Sequence, residues 1–149
     1  MDFYERWKRN ISGAVEGPGI FATGVGGVLY PPQSLHLDVL REDLFMALCP
    51  HGDDLWVYWM AQRQGSVVCH VGPSRRTLVW PGSQLDNLRS TNRGIPGENG
   101  NDRAIAALTE FCHQSGKKPS FLGERASAAK GGFEPILTDA AACPDVRLP

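Results

Sequence analysis

Residues 53–64 read DDLWVYWMAQRQ and are followed by Gly65, and this stretch decides the fold. Two carboxylates open it, where the dipole of a helix stabilises negative charge. Glycine is placed to end it in the left-handed conformation. Four apolar side chains recur on one face at helical spacing, namely Leu55, Trp56, Trp59 and Met60. The stretch therefore predicts a helix over Asp53–Gln64.

Segments of helical and of strand periodicity alternate on both sides of this helix. Clusters of glycine and proline at 17–19, 24–32 and 94–101 separate them. Further helices are predicted over 2–11, over 35–48, and from Asn101 or Asp102 as N-cap to about Gln114. Strands are predicted over 66–71 and 77–80, and over 20–30 as one strand or as two short strands interrupted by the glycines. The alternation predicts an α/β fold for residues 1–116. Residues 117–149 lack periodicity and are predicted to be a loosely packed or disordered tail.

Length and charge restrict the function classes. The chain has 149 residues, with 15 Lys+Arg against 16 Asp+Glu, which fits one domain and gives no electrostatic footprint for nucleic acid. Neither a signal peptide nor an apolar run of about 18 residues is visible, so we expect no transmembrane segment and a cytoplasmic protein. The four cysteines form no C-x-x-C pair, which favours buried, reduced thiols over a zinc site.

The acidic pair Asp53-Asp54 has two interpretations. Aspartate is a favoured N-cap, so both residues could serve the helix alone. Alternatively, one acid caps the helix and the other projects into a cleft as a general base, kept ionised by the dipole and the free amides of the first turn.

The glycine-rich stretch TGVGGVLYPP, at 23–32, is the second motif. Its glycines either permit a bulge and close strand packing or let the backbone approach a ligand, with Tyr30 offering an aromatic face. The stretch is not G-x-G-x-x-G followed by a helix, which disfavours a dinucleotide-binding site of the Rossmann type.

In their order along the chain, these motifs resemble the acceptor half of GT-A glycosyltransferases. The resemblance is to the family 2-like bacterial enzymes of surface polysaccharide synthesis, and it spans about Tyr4 to Phe111. It rests on GVGGVLYPP at 24–32, DDLW at 53–56, and the later Asn101-Asp102, with further matches in Trp7-Lys8 and in PGSQ at 81–84. It implies a partial GT-A-like mixed sheet flanked by helices.

The resemblance also implies an activity. A sugar would pass from a nucleotide-sugar donor to a saccharide acceptor with inversion, Asp54 acting as general base and Asp53 as its supporting neighbour. A divalent metal, Mn²⁺ or Mg²⁺, is implied by the family alone, and no residue here is assigned as its ligand. The implied substrate-binding residues are Thr23, Gly24, Val25, Gly26, Gly27, Tyr30, Trp56, Asn101 and Asp102.

The chain shows no counterpart of the N-terminal nucleotide-binding half of these enzymes or of its Asp-x-Asp motif. We therefore expect a protein partner, or a longer parent reading frame, to supply the donor-binding half. Two alternatives stay open. One is a catalytically inactive saccharide-binding or interaction module that retains the fold core, and the other is a truncated fragment.

Overall fold

The computed structural model describes residues 4, 7–9, 15–17, 19–24, 27–71, 80–82, 92, 98–116 and 136–139, the side chains of 8–9, 15–17 and 136–139 excepted. These residues form a mixture of helices and strands. Its longest helix has 15 residues, and no helix in these ranges is long and apolar enough to cross a membrane. In chain order the elements are β1 (Lys8–Arg9), β2 (Val15–Gly17), β3 (Ile20–Thr23), a 3₁₀ helix (Leu37–Leu40), α1 (Glu42–Leu48), α2 (Asp53–Gln64), β4 (Val68–His70), α3 (Gly100–Gln114) and β5 (Ile136–Asp139).

The described strands form two sheets, of three and of two strands. The partial GT-A-like mixed sheet that the resemblance implies stays a prediction. Strand β5 lies between β1 and β3 and is parallel to both, with Ile136 opposite Lys8 on one side and Ile20 on the other. Strands β2 and β4 form an antiparallel pair, with Val15 opposite His70. The coarse prediction of mixed α and β structure is confirmed.

Strand β5 lies inside the segment predicted to be an unstructured tail. Its sequence, ILTD, is too short to show a strand periodicity. Its backbone groups pair with strands more than a hundred residues earlier in the chain. Local periodicity does not report pairing at that separation. The other residues of 117–149 lie outside the described ranges, and the boundary at 116 stays a prediction.

Helix α2 is confirmed with the predicted bounds and lies at the centre of the core. Gly65 ends it with φ of 87°, and its N–H donates to the carbonyls of Ala61 and Gln62. The prediction of one apolar face was too narrow, because neighbouring elements cover several sides of this helix. The buried residues of α2 are Leu55, Trp56, Tyr58, Trp59, Met60, Ala61, Gln62 and Arg63.

An aromatic cluster fixes β3 against α2. The ring of Phe21 lies 5.2 Å from that of Tyr58 and 5.3 Å from that of Trp7, in both cases edge to face. All three residues are at most 4% exposed. The end of β3, where the glycine-rich motif begins, is therefore held beside the helix that carries the acidic pair.

Other element boundaries differ from the predictions. Lys8–Arg9 is a strand where a helix was predicted over 2–11. Of the two alternatives for 20–30, a single strand to Tyr30 is wrong, because β3 ends at Thr23, directly before the glycines. The helix predicted over 35–48 is divided at Arg41, whose extended backbone separates the 3₁₀ helix from α1. The strand predicted over 66–71 is limited to Val68–His70, and residues 77–79 of the last predicted strand lie outside the described ranges.

Candidate functional site

The two sequence motifs meet at the start of α2. The backbone N–H of Gly24 donates a hydrogen bond of 2.9 Å to Oδ1 of Asp54, across 30 residues of chain. A Cβ atom at position 24 would lie 3.0 Å from the same oxygen, which is tighter than ordinary contact. Glycine therefore permits the close approach of this loop to the carboxylate.

Neither member of the acidic pair is the N-cap of α2. The N-cap is Gly52, which provides no side-chain hydrogen bond, so the prediction that an aspartate caps this helix was wrong. Asp53 is exposed and Asp54 is half-buried. Among the described residues, only Gly24 donates to the Asp54 carboxylate, and it does so at Oδ1. No described residue donates a hydrogen bond to the other oxygen of this carboxylate, Oδ2.

The environment of Asp54 strengthens it as a base. Burial raises the pKa of this carboxyl above its ordinary value, the Gly24 N–H opposes that shift, and the neighbouring charge of Asp53 adds to it. The direction is opposite to the one predicted from the helix dipole, because removal from water outweighs the hydrogen bond. A carboxylate with a raised pKa accepts a proton more readily.

The charges of the same carboxylates act on Tyr30. Burial raises the pKa of its phenol, and the negative charges of Asp54 and then Asp53 raise it further. The side chain nevertheless remains 41% exposed. At neutral pH Tyr30 therefore keeps its proton and offers an O–H donor at an accessible surface beside the acidic pair.

The rest of the glycine-rich motif is only partly described. Thr23 ends β3 immediately before Gly24, and Gly27 closes a tight turn by donating its N–H to the Gly24 carbonyl at 3.0 Å. Gly27 has φ of 87°, a backbone conformation that favours glycine. Val25 and Gly26, both predicted to bind substrate, lie outside the described residues.

Trp56 does not line this site, contrary to the prediction. It is 4% exposed, its indole N–H donates to the carbonyl of Val39 at 3.1 Å, and its ring packs 5.9 Å from that of Phe45. Its indole N–H is thus already engaged within the protein. Trp56 is a core residue because the Leu37–Leu40 helix and α1 cover that side of α2.

Asp102 is also structural instead of substrate-binding. Its Oδ1 accepts from the backbone N–H of Tyr4 at 2.8 Å, and its Oδ2 accepts from the side-chain amide of Asn99 at 2.7 Å. Asn99, and not Asn101 or Asp102, is the N-cap of α3, since its Oδ1 accepts from the Asp102 N–H. Both carboxylate oxygens of Asp102 are therefore engaged within the protein.

A separate cavity of about 260 Å³ lies between α3 and the loop that joins α1 to α2. Asn101 lines this cavity, whereas the neighbouring Asp102 does not. The sequence reasoning missed the other polar residues there, because they come from three distant segments and form no motif. They are His51, Asn92 and Arg103.

The described residues do not supply a metal site. Within those ranges no three side chains of His, Cys, Asp or Glu come together to hold a metal ion. Asp53 and Asp54 are adjacent in sequence but differ in exposure, and one oxygen of Asp54 is occupied by the Gly24 N–H. The divalent ion implied by the resemblance does not fit these residues alone.

Comparisons of the chain with protein-family models, with curated proteins and with solved structures give no match.

Substitution of the two described glycines of the motif should have different consequences. In Gly24→Ala the new Cβ displaces the Asp54 carboxylate and weakens its hydrogen bond, so we expect a further rise of the Asp54 pKa with little backbone strain. In Gly27→Ala nothing lies within 4 Å of the Cβ, but the positive φ costs about 1–2 kcal/mol of stability.

NMR titration of the Asp54 carboxyl carbon and urea unfolding measure the two effects separately. The Asp54 pKa should move in Gly24→Ala and stay at the wild-type value in Gly27→Ala. An unchanged Asp54 pKa in both variants would show that the Gly24 contact does not tune this carboxylate.

Proposed function

We propose that this chain forms the acceptor side of an inverting, GT-A-like glycosyltransferase, with Asp54 as the general base. The observation that supports the proposal is the hydrogen bond from Gly24 to Asp54. It joins two of the motifs on which the family resemblance rests, and it holds a half-buried carboxylate in one orientation at the end of β3.

In the proposed reaction, the hydroxyl oxygen of a saccharide acceptor attacks the anomeric carbon of the donor sugar. The new C–O bond forms as the bond from that carbon to the nucleoside diphosphate breaks, and the diphosphate leaves with the bonding electrons. The hydroxyl proton passes to Oδ2 of Asp54 and then to water. Because Gly24 fixes Oδ1, Oδ2 is held for this transfer without further ordering of the side chain.

Tyr30 and Asp53 assist this step in different ways. The protonated phenol of Tyr30 donates a hydrogen bond to a substrate oxygen, and its exposed ring provides a face against which a sugar packs. The charge of Asp53 adds to the rise in the pKa of Asp54. The donor-binding half, with any divalent ion, is assigned to a partner chain or to a longer parent protein.

The test measures acceptor binding and transfer separately. Labelled chain is titrated with neutral and acidic saccharides, and we expect shifts of the amide resonances of Gly24 and Tyr30. Release of nucleoside diphosphate from a panel of nucleotide-sugars with Mg²⁺ is then followed for the chain alone and with an extract of its source cells as the source of the proposed donor-binding partner.

We expect nucleoside diphosphate to be released only when the acceptor and the chain are both present. A folded chain in which no saccharide moves Gly24 or Tyr30, and which adds nothing to the release by the extract, would contradict the proposal. Saccharide binding at these residues with no release in any mixture would identify an inactive binding module instead.

A further inference from the structure

The cavity beside α3 has two walls with different origins. One face of α3 forms the first wall, with Gly100, Arg103, Ala104 and Ala107 at helical i, i+3, i+4 and i+7 spacing. The second wall is the loop from Cys49 to Gly52. This loop runs directly into Asp53 and Asp54, so the cavity and the candidate catalytic base share one junction of the chain.

Asn92 holds the two walls in place. Its side-chain Nδ2 donates to the carbonyl of His51 at 2.8 Å. Its Oδ1 lies 2.7 Å from the point that a Cβ at residue 100 would occupy, so the carboxamide fits against α3 only because Gly100 has no side chain. The cavity is thus formed by specific contacts between distant segments.

Among the described residues that line this cavity, one side chain carries a fixed charge, that of the exposed Arg103. No described residue lining the cavity carries a carboxylate. Within the described part of the chain, no ion pair involves Arg103, whereas Arg41 and Arg63 pair with aspartates. A ligand with a negative group would pair with Arg103, and no described acid in the cavity would repel it.

Size and lining restrict the ligand further. The cavity has a volume of about 260 Å³, below the range of about 300–1,000 Å³ that is typical of pockets for drug-sized molecules. A ligand with a single ring therefore fits better than an extended ligand. Ala104 and Ala107 offer apolar surface, and the side-chain amide of Asn101 offers a donor and an acceptor for hydroxyl groups. This combination suits the carbon face and the hydroxyl edge of a sugar.

From these observations we infer that the cavity between α3 and the Cys49–Gly52 loop binds one sugar ring that carries an anionic group, and that Arg103 selects this group. That the ring belongs to the saccharide acceptor rests on the proposed function. The reacting hydroxyl then lies at Asp54 and the acidic ring lies on the other side of His51 and Gly52. The acceptor class is thereby narrowed to acidic saccharides.

The test is a binding titration in the absence of any nucleotide-sugar. Glucuronate, glucose 6-phosphate, glucose and inorganic phosphate are each added to labelled full-length chain, and the amide resonances of the cavity residues are followed. We expect both acidic sugars to shift Asn101, Arg103 and Ala107, and neither glucose nor phosphate alone to do so with comparable affinity. Comparison of glucuronate with glucose 6-phosphate distinguishes a carboxylate from a phosphate ligand.

Two pairs of variants test the charge of Arg103 and the free volume of the cavity separately. Arg103→Gln removes the charge and should weaken binding of the acidic sugar about tenfold or more, whereas Arg41→Gln, at an exposed pair elsewhere, should not. Ala107→Leu fills the cavity and should abolish binding, whereas Ala106→Leu, on the exposed side of the same helix, should preserve it.

The inference is overturned if the acidic sugars do not shift the cavity residues, if glucose or phosphate binds as well as they do, or if Arg103→Gln and Ala107→Leu bind like wild type. Because no donor is present, these results do not depend on transfer. Cavity binding that persists while the transfer assay fails would reject the proposed function and leave the anion-selective site standing.

Discussion

Asp54→Asn should lower the rate of sugar transfer by about 10²–10⁴-fold, the usual contribution of a positioned general base. The amide oxygen of asparagine still accepts the hydrogen bond from Gly24, so the side chain keeps its place. What it loses is the ability to take the hydroxyl proton. The measurement is the rate of acceptor-dependent release of nucleoside diphosphate, compared at the same protein concentration.

The variant should remain folded, and its stability gives an independent check. Burial raises the pKa of Asp54 in the folded protein. Above the ordinary pKa of an aspartate, the ionised carboxylate therefore lowers the free energy of unfolding. At neutral pH we therefore expect Asp54→Asn to unfold at the same urea concentration as wild type or at a higher one. The difference should disappear below the ordinary pKa of an aspartate, where the carboxyl is protonated in both states.

Asp53→Asn is the matched control. It removes one carboxylate from the same helix turn, but Asp53 is exposed and its side chain does not receive the Gly24 hydrogen bond. Its transfer rate should fall much less than that of Asp54→Asn. Equal losses in the two variants would mean that the charge of the pair, and not proton transfer at Asp54, supports the reaction.

Asp38→Asn should destabilise the protein by about 1–3 kcal/mol at neutral pH, because it leaves a buried guanidinium without its carboxylate. Arg63 is 6% exposed in its side chain, donates to Asp38, and packs with its guanidinium carbon 4.8 Å from the centre of the Phe111 ring. The pair therefore ties the Leu37–Leu40 helix to α2 near its contact with α3. Urea unfolding measures the loss.

The same pair predicts a dependence on pH. The hydrogen bond from Arg63 holds the pKa of Asp38 below its ordinary value. The contribution of this ion pair to stability is present above the unfolded-state pKa of Asp38 and is lost as pH falls through its lowered folded-state pKa. The difference in unfolding free energy between Asp38→Asn and wild type should therefore shrink in acid. A difference that does not change with pH would contradict an ionic role.

Asp43→Asn provides the comparison for that result. Asp43 pairs with Arg41, and the Arg41 guanidinium lowers its pKa to about 2, but both side chains are more than half exposed. Water screens such a pair, so we expect no measurable loss of stability. A loss as large as that of Asp38→Asn would show that burial of Arg63 is not the cause.

The helices were predictable where their signals lie within a few residues. In α2, the acidic first turn, the apolar spacing and the terminal Gly65 all belong to one short window, and the predicted bounds are those observed. In α3 the end at Gln114 was found, but the start was placed at Asn101 or Asp102. Asn99 is the cap because its side chain bonds with Asp102, a pairing that residue preferences alone do not rank.

Burial and long-range pairing were not predictable in the same way. Trp56 was expected at the site, but its place in the core depends on Val39 and Phe45, which come from elements that the sequence does not position. Strand β5 depends on β1 and β3, and the cavity with Arg103 depends on Asn92 and the Cys49–Gly52 loop. None of these partners lies within a local window.

The sequence by itself determined the central helix, the mixed α and β composition and the acidic and glycine-rich motifs, because each is encoded by neighbouring residues. Only the tertiary structure decided that Gly24 donates to Asp54 and that the charges of both acids act on Tyr30, while Trp56 and Asp102 are engaged elsewhere. The physical reason is that a hydrogen bond across 30 residues, or the burial of one carboxylate and not its neighbour, depends on how β3 packs against α2.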